Sequence, residues 1–138
     1  MKIEIINYCD CDINDLIKVS DYDNDAGIDI KLKETIIIDP HKTKTVGCGF
    51  GLKLPSGVMA LLLTRSSISQ QNLVIGNAPI DSSYTGEIHL MISNNSDYQA
   101  YFDKGQRVAQ LVIIPIINFS LVNELKTRES NGLGSSGK

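Results

Sequence analysis

Apolar and polar residues alternate in short runs divided by turn formers, the pattern of strands rather than helices. Ile3-Glu4-Ile5-Ile6 opens the chain, followed by Ile28-Asp29-Ile30-Lys31-Leu32 and by Thr35-Ile36-Ile37-Ile38, which closes at Asp39-Pro40. Thr45 to Leu54 alternates around three glycines and stops at Pro55-Ser56-Gly57, and Val58 to Leu63 is continuously apolar. Leu73-Val74-Ile75 runs into a turn-like Gly76-Asn77-Ala78-Pro79, while Tyr98 to Phe102 and Val108 to Ile114 complete the set. Glu87 to Ser93 is the most regular: Ile88, Leu90 and Ile92 share one face, and Glu87, His89, Met91 and Ser93 the other. Ile13 to Val19 is the stretch expected to form a short helix. About nine short strands at this spacing predict an all-β domain, a β-sandwich or a jelly-roll-like barrel.

The chain has 138 residues, 42% of them hydrophobic, enough for one domain with its own core. The expected division is a β domain over residues 1–126 and a flexible Gly/Ser-rich segment over 127–138. No apolar run approaches the roughly 20 residues of a membrane span, and Met1-Lys2-Ile3-Glu4 does not read as a secretory signal. Net charge is −3, with eight of the 16 acids at or before Asp29, so neither nucleic acid nor a membrane surface is an expected partner. Cys9, Cys11 and Cys48 form a sparse, odd set without C-x-x-C. Reduced thiols and a cytoplasmic setting are expected, or the host cytoplasm for a viral source.

Several residues could carry chemistry. The acidic run Asp21-Tyr22-Asp23-Asn24-Asp25-Ala26-Gly27 fails as a calcium loop, because Ala26 and Leu32 stand where Gly and Glu are needed. It reads as a solvated loop. Asp29 differs, since it lies between Ile28 and Ile30 within a strand. Cys9-Asp10-Cys11 lacks a third soft ligand nearby. His41 and His89 have no companion nucleophile, no G-x-S-x-G elbow exists, and no Walker-type loop exists. Arg65-Ser66-Ser67 follows an apolar strand and reads alone as a polar turn, although its guanidinium and hydroxyls suit phosphate oxygens. Asp81 sits in a turn-rich hairpin, and Gln110 interrupts the last apolar run, where a polar side chain needs partners.

Taken together and in order, these segments resemble the five motifs of the trimeric dUTP pyrophosphatases (dUTPases). The counterparts are Ala26-Gly27-Ile28-Asp29-Ile30, Arg65-Ser66-Ser67, Ile80-Asp81-Ser82-Ser83-Tyr84-Thr85-Gly86-Glu87, Gly105-Gln106-Arg107-Val108-Ala109-Gln110-Leu111, and Arg128 through Gly137. The likeness runs from about residue 24 to the C-terminus. Two departures stand out: Asn77-Ala78-Pro79 runs straight into Ile80-Asp81, which shortens the hairpin, and Leu133 occupies the usual place of a Phe.

The resemblance implies a homotrimer with shared active sites that converts dUTP to dUMP and pyrophosphate, limiting uracil in DNA and supplying dUMP for thymidylate synthesis. It implies Asp81 as the general base, and Mg²⁺ on the triphosphate, its waters held by Asp29 and Gln110. Arg65, Ser66 and Ser67 would grip phosphates. Asn77, Ile80 and His89 would border the base, and Tyr84 would lie on the deoxyribose. Arg128, Gly134, Ser135 and Ser136 would close on the phosphates, with Leu133 covering the base. Arg107 is assigned either to a structural or intersubunit role or to a phosphate contact. One subunit would supply Asn77, Asp81 and Tyr84, a second Arg65 to Ser67, and a third the C-terminal segment. Two alternatives are a dCTP deaminase on the same fold, and a nucleotide-gated regulator that binds a partner protein.

Overall fold

The computed structural model describes residues 1–19 and 24–125. Asp21, Tyr22, Asp23, Arg128, Leu133, Gly134, Ser135 and Ser136, and with them the 127–138 segment expected to be flexible, lie outside the described residues. Twelve strands are described: β1 (Glu4–Asn7), β2 (Ile17–Lys18), β3 (Gly27–Lys31), β4 (Ile36–Ile38), β5 (Thr43–Gly47), β6 (Phe50–Lys53), β7 (Val58–Thr64), β8 (Leu73–Ile75), β9 (Pro79–Ile80), β10 (His89–Asn94), β11 (Ala100–Phe102) and β12 (Arg107–Pro115). One helical turn, α1 (Ser66–Ser69), follows β7.

The strands form four antiparallel sheets, ordered β1-β6, β5-β10-β8, β11-β4 and β2-β3-β12-β7-β9. Each sheet contributes to one apolar core: Phe50 from β6, Leu90 and Ile92 from β10, Ile36 and Phe102 from β4 and β11, Ile30 and Leu62 from β3 and β7. Full burial of such side chains stabilises by about 1.5–3 kcal/mol each. The all-β, jelly-roll-like expectation holds. The alternation in β10 also holds: Ile88, Leu90 and Ile92 are buried, while His89 and Met91 are exposed.

Asn94 is the one buried polar residue among those described. Its amide nitrogen donates to the carbonyls of Ile38 (3.0 Å) and Tyr98 (2.8 Å), and its oxygen accepts from the Ser96 N–H (3.0 Å) and hydroxyl (2.7 Å). The side chain therefore ties the end of β10 to the end of β4, and every one of these groups is satisfied.

Four expectations need correction. Ile13 to Val19 is not a helix: Ile13–Asp15 makes one 3₁₀ turn capped by Asp12, and β2 then pairs with β3. Adjacent Leu16 and Ile17 are both buried, which a helical stripe does not need but an entry into a sheet does. The alternating stretch from Thr45 to Leu54 is two strands, broken where Gly49 adopts φ +84°, a conformation that disfavours side chains. Arg65-Ser66-Ser67 is the start of a helical turn rather than an irregular one. Finally, Cys9 and Cys11 are joined as a disulfide instead of standing as free thiols. The Asn7 carboxamide oxygen accepts the N–H groups of Cys9 and Asp10, and Asp10 adopts φ 55°. This tight turn brings the two Cα atoms to 5.3 Å, within bridging range. Cys48 is free and buried, and burial pushes its thiol up to about 12.

Candidate functional site

Two groups of the expected site residues form on this scaffold. The first surrounds a cleft of about 300 Å³ bordered by Leu62, Ile80, Asp81, Tyr84, Glu87 and His89. Ile80 is buried because β9 pairs with β7, Ala60 standing opposite Ile80. That pairing ends at Ile80, so Asp81 emerges from the sheet edge exposed. The Tyr84 N–H donates to the Asp81 carbonyl at 3.0 Å, closing a turn that keeps both residues at the cleft. The Tyr84 hydroxyl donates to the Glu87 carbonyl at 2.6 Å, folding the ring back over Gly86. A Cβ on Gly86 would lie 2.8 Å from that hydroxyl, so the close approach requires glycine there. Asn77 is exposed on the approach to β9 and does not border this cleft within the single chain.

The sequence places Glu87 on a polar strand face and at the end of the third motif, without assigning it a role. Its carboxylate accepts the Gly49 N–H at 2.8 Å and the Lys33 ammonium at 3.2 Å. Burial opposes its ionisation, but the Gly49 hydrogen bond and Lys33 outweigh that, with His89 adding to them, and hold the carboxyl below its ordinary range. The visible signal was an acid directly after Gly86, preceding a strand with an apolar face.

The second group is centred on Asp29. In register, Gln110 of β12 stands between Asp29 of β3 and Leu63 of β7. One Asp29 oxygen lies 3.3 Å from Arg65 Nε, and the other accepts from an Arg107 terminal nitrogen at 3.2 Å. Arg65 also donates to the Arg107 carbonyl at 3.1 Å. Arg107 thus has a role that its sequence context left open: it holds Asp29 and is in turn held by Arg65. Ser66 and Ser67 are exposed in the first turn of α1, next to Arg65.

These groups occupy opposite ends of β7. Since Ile80 faces Ala60, Asp81 lies beside the start of the strand, whereas Arg65 lies past its far end. Six residues of extended chain separate the two levels, about 20 Å.

For magnesium the donor set is informative. Among the described residues no cluster of three His, Cys, Asp or Glu exists to hold an ion directly. Asp29 and Gln110 are neighbours, and a carboxylate that accepts from Arg107 and pairs with Arg65 retains lone pairs for further hydrogen bonds. Asp29 and Gln110 fit a Mg²⁺ held through its waters.

The dUTPase family profile matches residues 16–137. The chain is 34% identical over 126 residues to the deoxyuridine 5'-triphosphate nucleotidohydrolase of Tropheryma whipplei (strain Twist), covering 85% of this chain and 86% of that one. A mutant dUTPase of Staphylococcus bacteriophage 80alpha, solved with dUpNHpp, is 26% identical, with a TM-score of 0.79 and 99% of each chain covered. The dUTPase of phage phi11 of S. aureus, whose mutant structure describes the coordination of a structural Mg(II) ion, matches at TM-score 0.80 and 23% identity, over 94% of this chain and 100% of that one.

Proposed function

This chain belongs to the dUTPase family, and on that premise we propose that it hydrolyses dUTP to dUMP and pyrophosphate with Asp81 aiming the attacking water. The observation that carries the assignment is the Asp81–Tyr84 turn, which sets an exposed carboxylate and an aromatic ring at the lip of one cleft.

Asp81 accepts a hydrogen bond from water and takes its proton as the oxygen attacks phosphorus. Tyr84 lies against the deoxyribose, leaving no room for a 2′-hydroxyl. Ile80 and His89 border the uracil, and Asn77 reads its polar edge. Arg65, Ser66 and Ser67 hold phosphate oxygens and stabilise the charge that moves onto the leaving pyrophosphate. Arg128 and the stretch Gly134, Ser135 and Ser136 serve the same phosphates, and Leu133 covers the base. Mg²⁺, when bound, would neutralise triphosphate oxygens, its waters accepted by Asp29 and Gln110.

The complete site is shared within a homotrimer. Two features support sharing. Asp81 and Arg65 lie at opposite ends of β7, too far apart to serve one triphosphate from a single chain. After β12, Ile116, Ile117, Phe119, Leu121, Val122 and Leu125 are all exposed, an apolar run that calls for a neighbour.

Pyrophosphate release in the presence of Mg²⁺, measured across dUTP, dCTP, dTTP and UTP, tests the reading. Turnover confined to dUTP is expected. Ammonia from dCTP would favour a deaminase, and binding of dUTP without hydrolysis would favour a regulator.

A further inference from the structure

Glu87 joins the cleft to the body of the protein twice. Its main-chain oxygen receives the Tyr84 hydroxyl at 2.6 Å and lies 3.1 Å from His89 Nδ1. Its side chain reaches the other way, to the Gly49 N–H and the Lys33 ammonium, with a second oxygen 4.0 Å from His89 Nε2. The bend between β5 and β6 is shaped to receive it. Gly47 stands opposite His89 in the strand register, and a Cβ at Gly47 would collide with the Glu87 carboxylate. Flanking main-chain bonds secure the same bend: the Cys48 N–H donates to the Ile88 carbonyl at 2.8 Å, and the Ile88 N–H donates to Phe50 at 2.9 Å. From β1's side, the Tyr8 hydroxyl donates to the Thr85 carbonyl at 2.5 Å.

The aromatic ring therefore rests on a carbonyl whose own place is set by a carboxylate. We propose that Glu87 is a positioning residue which, by fixing the carbonyl that anchors Tyr84, sets the discrimination between deoxyribose and ribose nucleotides. The inference deepens the proposed function and rests on it for the identity of the sugar. Misplacement by about 1 Å costs as much as a hundredfold in rate when geometry governs a step, so a loosened anchor is felt in selectivity before it is felt in folding.

The test compares kcat/KM for dUTP and for UTP, with Mg²⁺, in the full-length wild type and in Glu87→Ala, Glu87→Gln, Lys33→Met and Tyr84→Phe. Glu87→Ala lowers the dUTP-to-UTP ratio about tenfold, through a higher KM for dUTP and a gain of UTP turnover. Glu87→Gln keeps most of the ratio, because its amide oxygen still accepts from Gly49. Lys33→Met falls between them. Tyr84→Phe, without the hydroxyl, matches Glu87→Ala, and combining the two adds little. A purely structural carboxylate would lower the melting temperature and leave the ratio unchanged, and that result in folded Glu87→Ala overturns the proposal. If the wild type releases no pyrophosphate from dUTP, the enzymatic reading fails by itself. The positioning claim is then read from the NMR ring signals of Tyr84. They move in Glu87→Ala if the anchor is real, and unchanged signals overturn it.

Discussion

Asp29 and Gln110 stand opposite one another on β3 and β12, and the carboxylate of Asp29 is gripped on one oxygen by Arg65 and on the other by Arg107. Gln110 thus breaks the apolar run of β12 to sit beside a carboxylate paired with two arginines. The pairing also separates two contributions of Arg107. Its side chain is 46% exposed, so its ion pair with Asp29 stabilises the fold by about 1 kcal/mol or less. Arg107→Ala is expected to shift urea unfolding only slightly while raising the KM for dUTP, as Asp29 loses one of its two tethers. A large stability loss with unchanged KM would make Arg107 purely structural.

Asp81→Asn preserves the shape of the turn and removes the base. Turnover of dUTP is expected to fall by at least about a hundredfold, with substrate still bound in calorimetry. Normal pyrophosphate release from this variant would rule out Asp81 as the base.

Asn94→Ala removes the side-chain donor to the Ile38 carbonyl and the acceptor of the Ser96 N–H, while the Tyr98 carbonyl keeps the Ser96 hydroxyl at 3.0 Å. An unsatisfied buried group costs about 1–3 kcal/mol, so equilibrium unfolding in urea should show a loss within that range. A loss comparable to that of an exposed substitution would mean the segment rearranges to rehydrate.

The carboxyl of Glu87 is held below its ordinary value of 4.5 by Gly49, Lys33 and His89, which together overcome the opposing effect of burial. A lowered folded value means that its stabilisation is complete above the unfolded value and is lost as pH falls through the folded one. Wild type and Glu87→Gln should therefore differ most in stability at neutral pH and begin to converge only as the pH falls below about 4.5, measured by denaturant unfolding at each pH. A difference that grows on acidification would reverse the sign and exclude this ion pair as its source.

Deletion of residues 127–138 tests the assignment of Arg128 and Gly134 to Ser136 to the phosphates. A fall in kcat/KM for dUTP of at least about tenfold is expected, with the sedimentation of the assembly unchanged. Full activity in the shortened chain would remove that segment from the site.

The strand alternation of Ile88, Leu90 and Ile92 made β10 readable in the sequence, because one buried face imposes a period of two. Two-residue strands such as β2 and β9 leave no such period, and neither does the single turn of α1. Asp81 and Tyr84 were singled out by the resemblance to the dUTPases, whereas local turn chemistry marked Asp81 only as a turn residue. The partnership of Asp29 with Arg107 was not legible, since 78 positions separate them and only the pairing of β3 with β12 brings them together. The role of Glu87 was hidden for a related reason: its partners, Lys33 and Gly49, come from other parts of the chain. The Cys9–Cys11 link was missed because residue counting says nothing of a turn folded by Asn7.

Cys48, enclosed in the core with a thiol pushed up to about 12, gives the molecule an internal clock. Its sulfur is neither ionised nor reachable in the closed state, so an alkylating reagent can capture it only when the interior opens. The pace of that labelling, compared with and without bound nucleotide, reads how strongly occupancy of the cleft restrains breathing of the barrel.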